Sequence, residues 1–157
     1  MWPDDCALIE DCLCWTADAL HRYGKSPARF GLIHADLRLT NIMRCQDNTR
    51  VIDFDDCGFG WYLHDLAAAI SFVEHYPAAP EWVAGWLDGY QCHCPLGVED
   101  RAVLPALFMQ RRIELLAWVG SHADTEQARS LGPRWVDETL RLYHRYQDCA
   151  GLPIGAG

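Results

Sequence analysis

His34-Ala35-Asp36-Leu37-Arg38-Leu39-Thr40-Asn41 and, with its Asp twelve positions past Asn41, the run Val51-Ile52-Asp53-Phe54-Asp55 decide how this chain of 157 residues is read. The first stretch has the pattern H-x-D-x-x-x-x-N. Such a pattern recurs by chance, and the downstream Asp at a set distance is what makes the pair specific. Just ahead, Phe30, Leu32 and Ile33 predict a short strand from Arg29 to His34. Behind it, Asn41 to Cys45 reads as a second short strand and Gln46-Asp47-Asn48 as a turn. Val51 to Phe54 then reads as the other arm of a hairpin. The polar residues of interest therefore lie between and just after short strands, where loops on a rigid scaffold carry chemistry.

Outward from this centre the periodicity is helical. Ile9, Leu13, Ala17 and Leu20 predict a helix from Asp4 to Tyr23, with Asp4 or Asp5 as its cap and Gly24 at its end. After Gly58-Phe59-Gly60, the residues Leu63, Leu66, Ala67 and Ile70 predict a helix from about Tyr62 to His75, closed by Pro77 and Pro80. Three more follow: Glu81 to about Gln91, one within Arg101 to Val119 that Pro105 opens or kinks, and Arg134 to Gln147. Trp82, Trp86, Trp118 and Trp135 fall on these helices, so they read as core rather than as an aromatic cage for a quaternary ammonium. The expectation is an α+β, mainly helical fold in a single domain over residues 1–150. Residues 151–157 read as a disordered tail.

Composition narrows the function classes. Thirteen Lys and Arg against twenty-two Asp and Glu give a formal charge of −9, which argues against a nucleic-acid partner. No apolar run is long enough for a membrane span, and Met1-Trp2-Pro3-Asp4-Asp5 does not open like a signal peptide. A cytoplasmic protein with reduced thiols is expected. Cys12-Leu13-Cys14 and Cys92-His93-Cys94 have a one-residue gap where structural zinc sites use two to four, so no zinc is assigned.

The order and spacing of His34, Asp36, Asn41 and Asp53 match a kinase catalytic loop followed by its metal-binding Asp-Phe motif. Phosphoryl transfer from ATP asks the protein mostly to position groups and balance charge. Asp36 is the candidate to orient an acceptor hydroxyl and take its proton. Asn41 and Asp53 supply the hard oxygen atoms that magnesium prefers, and so are the candidate cofactor ligands. Arg38 has two readings: a guanidinium fork for the transferring phosphate, or a surface pair with Asp55 or Asp56. His34 reads as orienting the loop by hydrogen bonding, ahead of direct acid–base work. Asp65, opening the next helix, reads as a carboxylate that accepts backbone N–H groups and holds the loop. Asp55 and Asp56 face either a cationic acceptor or solvent.

The stretches from Gly31 to Arg38 and from Val51 to Ala67 resemble the aminoglycoside phosphotransferase and choline kinase-like superfamily. They are especially similar to its bacterial homoserine-kinase-like and stress-response-kinase-like branch. The resemblance implies a protein-kinase-like C-terminal lobe whose short β-hairpin carries the catalytic and metal motifs. It implies ATP and magnesium as cofactors, the hydroxyl of a small-molecule alcohol as acceptor, Asp36 as base, Asn41 and Asp53 as magnesium ligands, and Asp65 as loop anchor. In this superfamily a β-rich N-terminal lobe brings a phosphate-covering loop and a lysine. Here only about thirty residues precede His34, and the single lysine is Lys25. The expectation is thus a catalytic lobe without its nucleotide-binding lobe, partnered by a second copy or by a separate N-terminal-lobe chain. A non-catalytic binding or regulatory module that keeps the site residues is the alternative.

Overall fold

A computed structural model describes residues 3–46 and 48–148. The order of elements is α1 (Pro3–Tyr23), β1 (Phe30–Ile33), a 3-10 turn (Leu39–Asn41), β2 (Ile42–Cys45), β3 (Asn48–Val51) and β4 (Gly58–Trp61). Five helices follow: α2 (His64–Ile70), α3 (Ala79–Gln91), α4 (Val98–Ala102), α5 (Leu104–Ser121) and α6 (Glu126–Asp148). The mainly helical α+β class read from the sequence is what the chain adopts. The expected tail at 151–157 lies outside the described residues. Among those described, two compact units form, one from residues 3–22 with 105–148 and the other from residues 23–104.

In the first unit, α1 begins on Pro3, so Asp4 and Asp5 sit inside its first turn and do not cap it. There the charge of Asp5 favours the helix N-terminus. The buried stripe is Cys12, Thr16, Leu20 and Tyr23, whereas Leu13 is half exposed. Of the expected stripe on Ile9, Leu13, Ala17 and Leu20, only Leu20 is buried, and the stripe lies about one position round from the other three. The helix turns small residues inward, and a buried Cys packs as a small hydrophobe. Burial pushes the Cys12 thiol up to about 11. Since only a thiolate attacks a disulfide reagent, Cys12 is expected to stay unlabelled at pH 8. The exposed Cys6, Cys14, Cys45, Cys57, Cys92 and Cys94 should react first. Mass spectrometry of partly labelled protein reads the order, and early labelling of Cys12 would contradict the packing.

Helix α5 buries Leu107, Phe108 and Met109, and α6 buries Trp135, Thr139, Leu140 and Tyr143. The Arg112 guanidinium lies 3.9 Å from the Trp135 ring centroid and donates from Nε to Thr139 Oγ1 at 3.1 Å. Pro105 sits in the first turn of α5, so of the two expectations the opening one holds. Helix α6 starts eight residues before the expected Arg134, and its backbone breaks at Gly132, where φ is 36° and ψ is −144°. That conformation suits a residue without a Cβ.

In the second unit the strands form two separate antiparallel pairs. β2 pairs with β3 in the register Ile42↔Val51, Met43↔Arg50, Arg44↔Thr49 and Cys45↔Asn48. Asn48 therefore belongs to the strand and not to the turn, and residues 52–54 lie beyond the arm that the sequence placed over Val51 to Phe54. β1 pairs with β4, matching Phe30↔Trp61, Gly31↔Gly60, Leu32↔Phe59 and Ile33↔Gly58. The glycine pair is a matter of close approach: a Cβ on Gly60 would strike Ile33, and one on Gly31 would strike the Tyr62 ring. β4 carries the chain from the Asp53 segment back alongside the strand that leads into His34.

Helix α2 packs on α3 and against β4. It ends at Ile70, well short of His75. Ser71 turns out of the helix at ψ 137° while its hydroxyl donates to the Ala67 carbonyl at 3.0 Å, and Phe72 has φ 70°. Pro80 stands at the start of α3, where its missing N–H costs nothing, instead of closing the helix before it.

Candidate functional site

The loop between β1 and the 3-10 turn is built by its backbone. Ala35 has φ 66°, a left-handed conformation that costs a residue with a Cβ about 1–2 kcal/mol. Asp65, in the first turn of α2, offsets this by accepting two main-chain N–H groups. Its Oδ2 takes that of His34 at 3.0 Å and its Oδ1 that of Ala35 at 2.8 Å. The sequence reading of Asp65 as a carboxylate bonded to backbone N–H groups agrees with this geometry.

His34 is buried. Its Nδ1 accepts the Asp36 N–H at 3.3 Å, and its Nε2 lies 2.9 Å from the Ile52 carbonyl. A neutral ring with its proton on Nε2 satisfies both contacts. With both nitrogens engaged by main chain, the ring is arranged to orient the loop. The Phe54 ring leans on it at 4.7 Å between centroids. His34 thus ties the Asp36 loop to the Asp53 segment by one hydrogen bond and one ring contact.

Asp36 is 8% exposed, and its Oδ2 receives Arg38 Nε at 2.9 Å and Asn41 Nδ2 at 3.1 Å. Asn41 Nδ2 also donates to the Asp36 carbonyl at 2.9 Å. Asn41 lies in the 3-10 turn and not in the strand assigned to it, because its N–H closes that turn on the Arg38 carbonyl at 2.9 Å. Arg38 points at Asp36, so of its two readings the surface pair with Asp55 or Asp56 gives way to an ion pair inside the motif.

Asp53 is exposed, with φ 66°. The Ile52 N–H donates to the Asn41 carbonyl at 3.0 Å, which brings the Asp53 segment beside Asn41. The Asn41 amide nitrogen is spent on Asp36, so the amide oxygen is what this residue offers a cation. Among the described residues no cluster of three or more His, Cys, Asp or Glu could hold a metal by itself. An amide oxygen and a carboxylate fit magnesium nonetheless, because that ion takes one or two protein oxygens and completes its shell with phosphates and water.

The other candidates spread out. Asp55 and Asp56 are exposed in the turn closed by Cys57 N–H on the Phe54 carbonyl. Trp135 is core, as expected, whereas Trp82 is 46% exposed and tilted on Tyr76, and Trp86 stacks on Tyr90 at 5.0 Å. The lone lysine, Lys25, lies over the Phe30 and Trp61 rings at 4.8 and 5.2 Å. Ala35 and Ile52 escaped the sequence reading, and Phe54 entered it only as part of the Asp-Phe motif. The first two contribute through main-chain atoms, which carry no residue code; Phe54, next to Asp53, was the one legible signal.

Comparison with known proteins bears on the family and the fold. Amicoumacin kinase of Bacillus subtilis (strain 168) is 32% identical over 92 residues, covering 57% of this chain and 27% of that protein. The solved structure of a microcompartment-associated aminopropanol kinase superposes with a TM-score of 0.85 at 39% identity, covering 96% of this chain and 48% of the other. A second solved structure, amicoumacin kinase hAmiN in complex with AMP-PNP, Ca2+ and Ami, shares the fold at a TM-score of 0.69 and 21% identity. It is matched over 98% of this chain and 48% of its own. The chain thus spans about half the length of these solved relatives. Residues 4–107, more than half of the chain, match the phosphotransferase enzyme family, and to that family the chain belongs.

Proposed function

We propose that this chain is the catalytic lobe, residues 1–150, of an ATP-dependent kinase that phosphorylates the hydroxyl of a small amino alcohol. The observation that carries the proposal is the cluster in which Asp36 is gripped by Arg38 and Asn41 with the Asp53 segment hydrogen-bonded alongside. The amino-alcohol class follows the aminopropanol kinase structure, to which this chain is 39% identical. Where no helix among the described residues is long and apolar enough to cross a membrane, the cytoplasm is the compartment we assign, with its supply of ATP and magnesium.

Asp36 is suited to orient the acceptor hydroxyl and receive its proton. The hydroxyl oxygen bonds to the terminal phosphorus of ATP while the bond from that phosphorus to the ADP oxygen breaks, and ADP leaves with the electron pair. An ordinary aspartate is a weak base, and it suffices when the proton moves late, with the new O–P bond already forming. Asn41 and Asp53 would hold the magnesium, which when bound neutralises phosphate charge. His34 and Asp65 keep the loop in shape and touch neither substrate.

The test is transfer of phosphate from magnesium-ATP to 1-amino-2-propanol, followed by phosphorus NMR. Phosphorylated amino alcohol appearing with ADP supports the reading; ATP consumed with no phosphorylated acceptor among amino alcohols would overturn the substrate class. Asp53→Ala is expected to weaken binding of magnesium-ATP by at least about tenfold. Calorimetry with and without magnesium checks it, and an unchanged affinity would remove Asp53 from the metal site.

A further inference from the structure

We infer that the outer face of the β1–β4 ribbon is a docking surface for a second copy of this chain, met across a two-fold axis. In an antiparallel pair, residues directly opposite share a face, and faces alternate along each strand. The register Phe30↔Trp61 and Leu32↔Phe59 therefore puts these four side chains together, with Ile33 on the opposite, buried face. At one end Phe30 and Trp61 meet edge to face, their ring centroids 5.4 Å apart. Next to them Leu32 is 67% exposed and Phe59 79% exposed, side by side on the ribbon. A cross-strand pair of large apolar side chains left in the open, beside two aromatic rings, marks an association surface.

Charge identifies the occupant, because the ribbon carries opposite signs at its two ends. Trp61 Nε1 donates to the Gly24 carbonyl at 2.8 Å, which ties the segment before β1 to the Phe30–Trp61 end. There the exposed Lys25 holds its ammonium 4.8 Å from the Phe30 centroid and 5.2 Å from that of Trp61. At the other end, Ile33↔Gly58, the chain enters β4 from the exposed turn that holds Asp55 and Asp56. The two ends are three residue steps, about 10 Å, apart. Ring faces attract an ammonium without cancelling its charge. Neither Lys25 nor the two aspartates enters an ion pair among the described residues. A two-fold axis that lies in the contact plane and crosses the strands reverses the ribbon end for end. It sets Lys25 of each copy against Asp55 and Asp56 of the other, with Leu32 and Phe59 of both copies between them. The face is thus its own complement. With four residues on each strand the contact is small, so it belongs to the weak class that exchanges with concentration. It is independent of the kinase reading and involves neither Asp36, Asn41 nor Asp53.

Because Lys25 is the single lysine, the contact can be read chemically. A carbodiimide joins an ammonium to a carboxylate without a spacer. Applied to a mixture of nitrogen-15-labelled and unlabelled full chains, it should join Lys25 of one isotope to Asp55 or Asp56 of the other, as read by mass spectrometry. Sedimentation at about 0.15 M salt, where charges more than about 8 Å apart are screened, should show monomer giving way to dimer as concentration rises through the micromolar range. Phe59→Glu alters an exposed side chain, so circular dichroism should report an unchanged fold while association weakens at least about tenfold. Lys25→Glu should weaken association too, and adding Asp55→Lys and Asp56→Lys to that variant should restore it. A single monomer up to about 0.5 mM would overturn the inference and leave this face to a different partner. Dimers that persist undiminished in Phe59→Glu, or that charge reversal fails to restore, would place the contact on another surface and overturn it equally.

Discussion

Replacing Asp36 with Asn should lower kcat for phosphate transfer by about a thousandfold while the fold stays intact, the scale on which a positioned proton acceptor contributes. Asn keeps the shape of the side chain, and its amide oxygen can still accept from Arg38 Nε and Asn41 Nδ2, the two donors now 2.9 and 3.1 Å from Oδ2. The position taken by Oδ1 would become an NH2 group, a donor that cannot receive the hydroxyl proton. The change therefore removes the chemical capacity of the side chain and spares most of its packing. Thermal unfolding followed by circular dichroism should move little, and magnesium-ATP affinity should hold, because Asn41 and Asp53 are untouched. A variant that turns over at an undiminished rate would show that the hydroxyl proton leaves by another route. A variant that unfolds would make Asp36 a structural residue.

Why this much was legible, and no more, is a matter of which interactions have a residue code. Asp36, Asn41 and Asp53 were legible because their chemistry resides in side chains at fixed spacing; the structure hydrogen-bonds Asn41 to Asp36 and sets the Ile52 N–H on the Asn41 carbonyl. For Arg38 a phosphate fork and a surface pair stayed open, and the contact with Asp36 was missed, since spacing does not say that a side chain two residues on will fold back over its own loop. β4 was overlooked because Gly58-Phe59-Gly60-Trp61 lacks apolar alternation; its Gly60 admits the Ile33 side chain, a property of the partner strand. The end of α2 was overrun because Val73 and Glu74 continue its spacing. The chain leaves the helix on the torsions of Ser71 and Phe72, and apolar periodicity is blind to those. The stripe of α1 was misplaced for a related reason. Thr16 is polar by composition and 4% exposed in the fold, so hydrophobicity alone chose the wrong face.

Asp65→Ala is expected to have the largest effect on stability of any single change near the site. The aspartate accepts the N–H groups of His34 and Ala35 at 3.0 and 2.8 Å across thirty residues of chain, and so joins the first turn of α2 to the loop after β1. Truncation leaves both donors without this acceptor in a partly buried position, at about 1–3 kcal/mol each, or about 2–6 kcal/mol in all. The loop also loses what holds Ala35 at φ 66°, so His34 and Asp36 lose their set directions and kcat should fall together with stability. Asp65→Asn is the sharper test. One amide oxygen can serve one N–H, but the NH2 group faces the other as donor against donor, so Asn should recover less than half of what Ala loses. Urea unfolding of the three proteins reads the stability and turnover reads the loop. If Asn matched Asp in both, the carboxylate would be acting through a single hydrogen bond, and the paired grip on His34 and Ala35 would not be what keeps the left-handed residue in place.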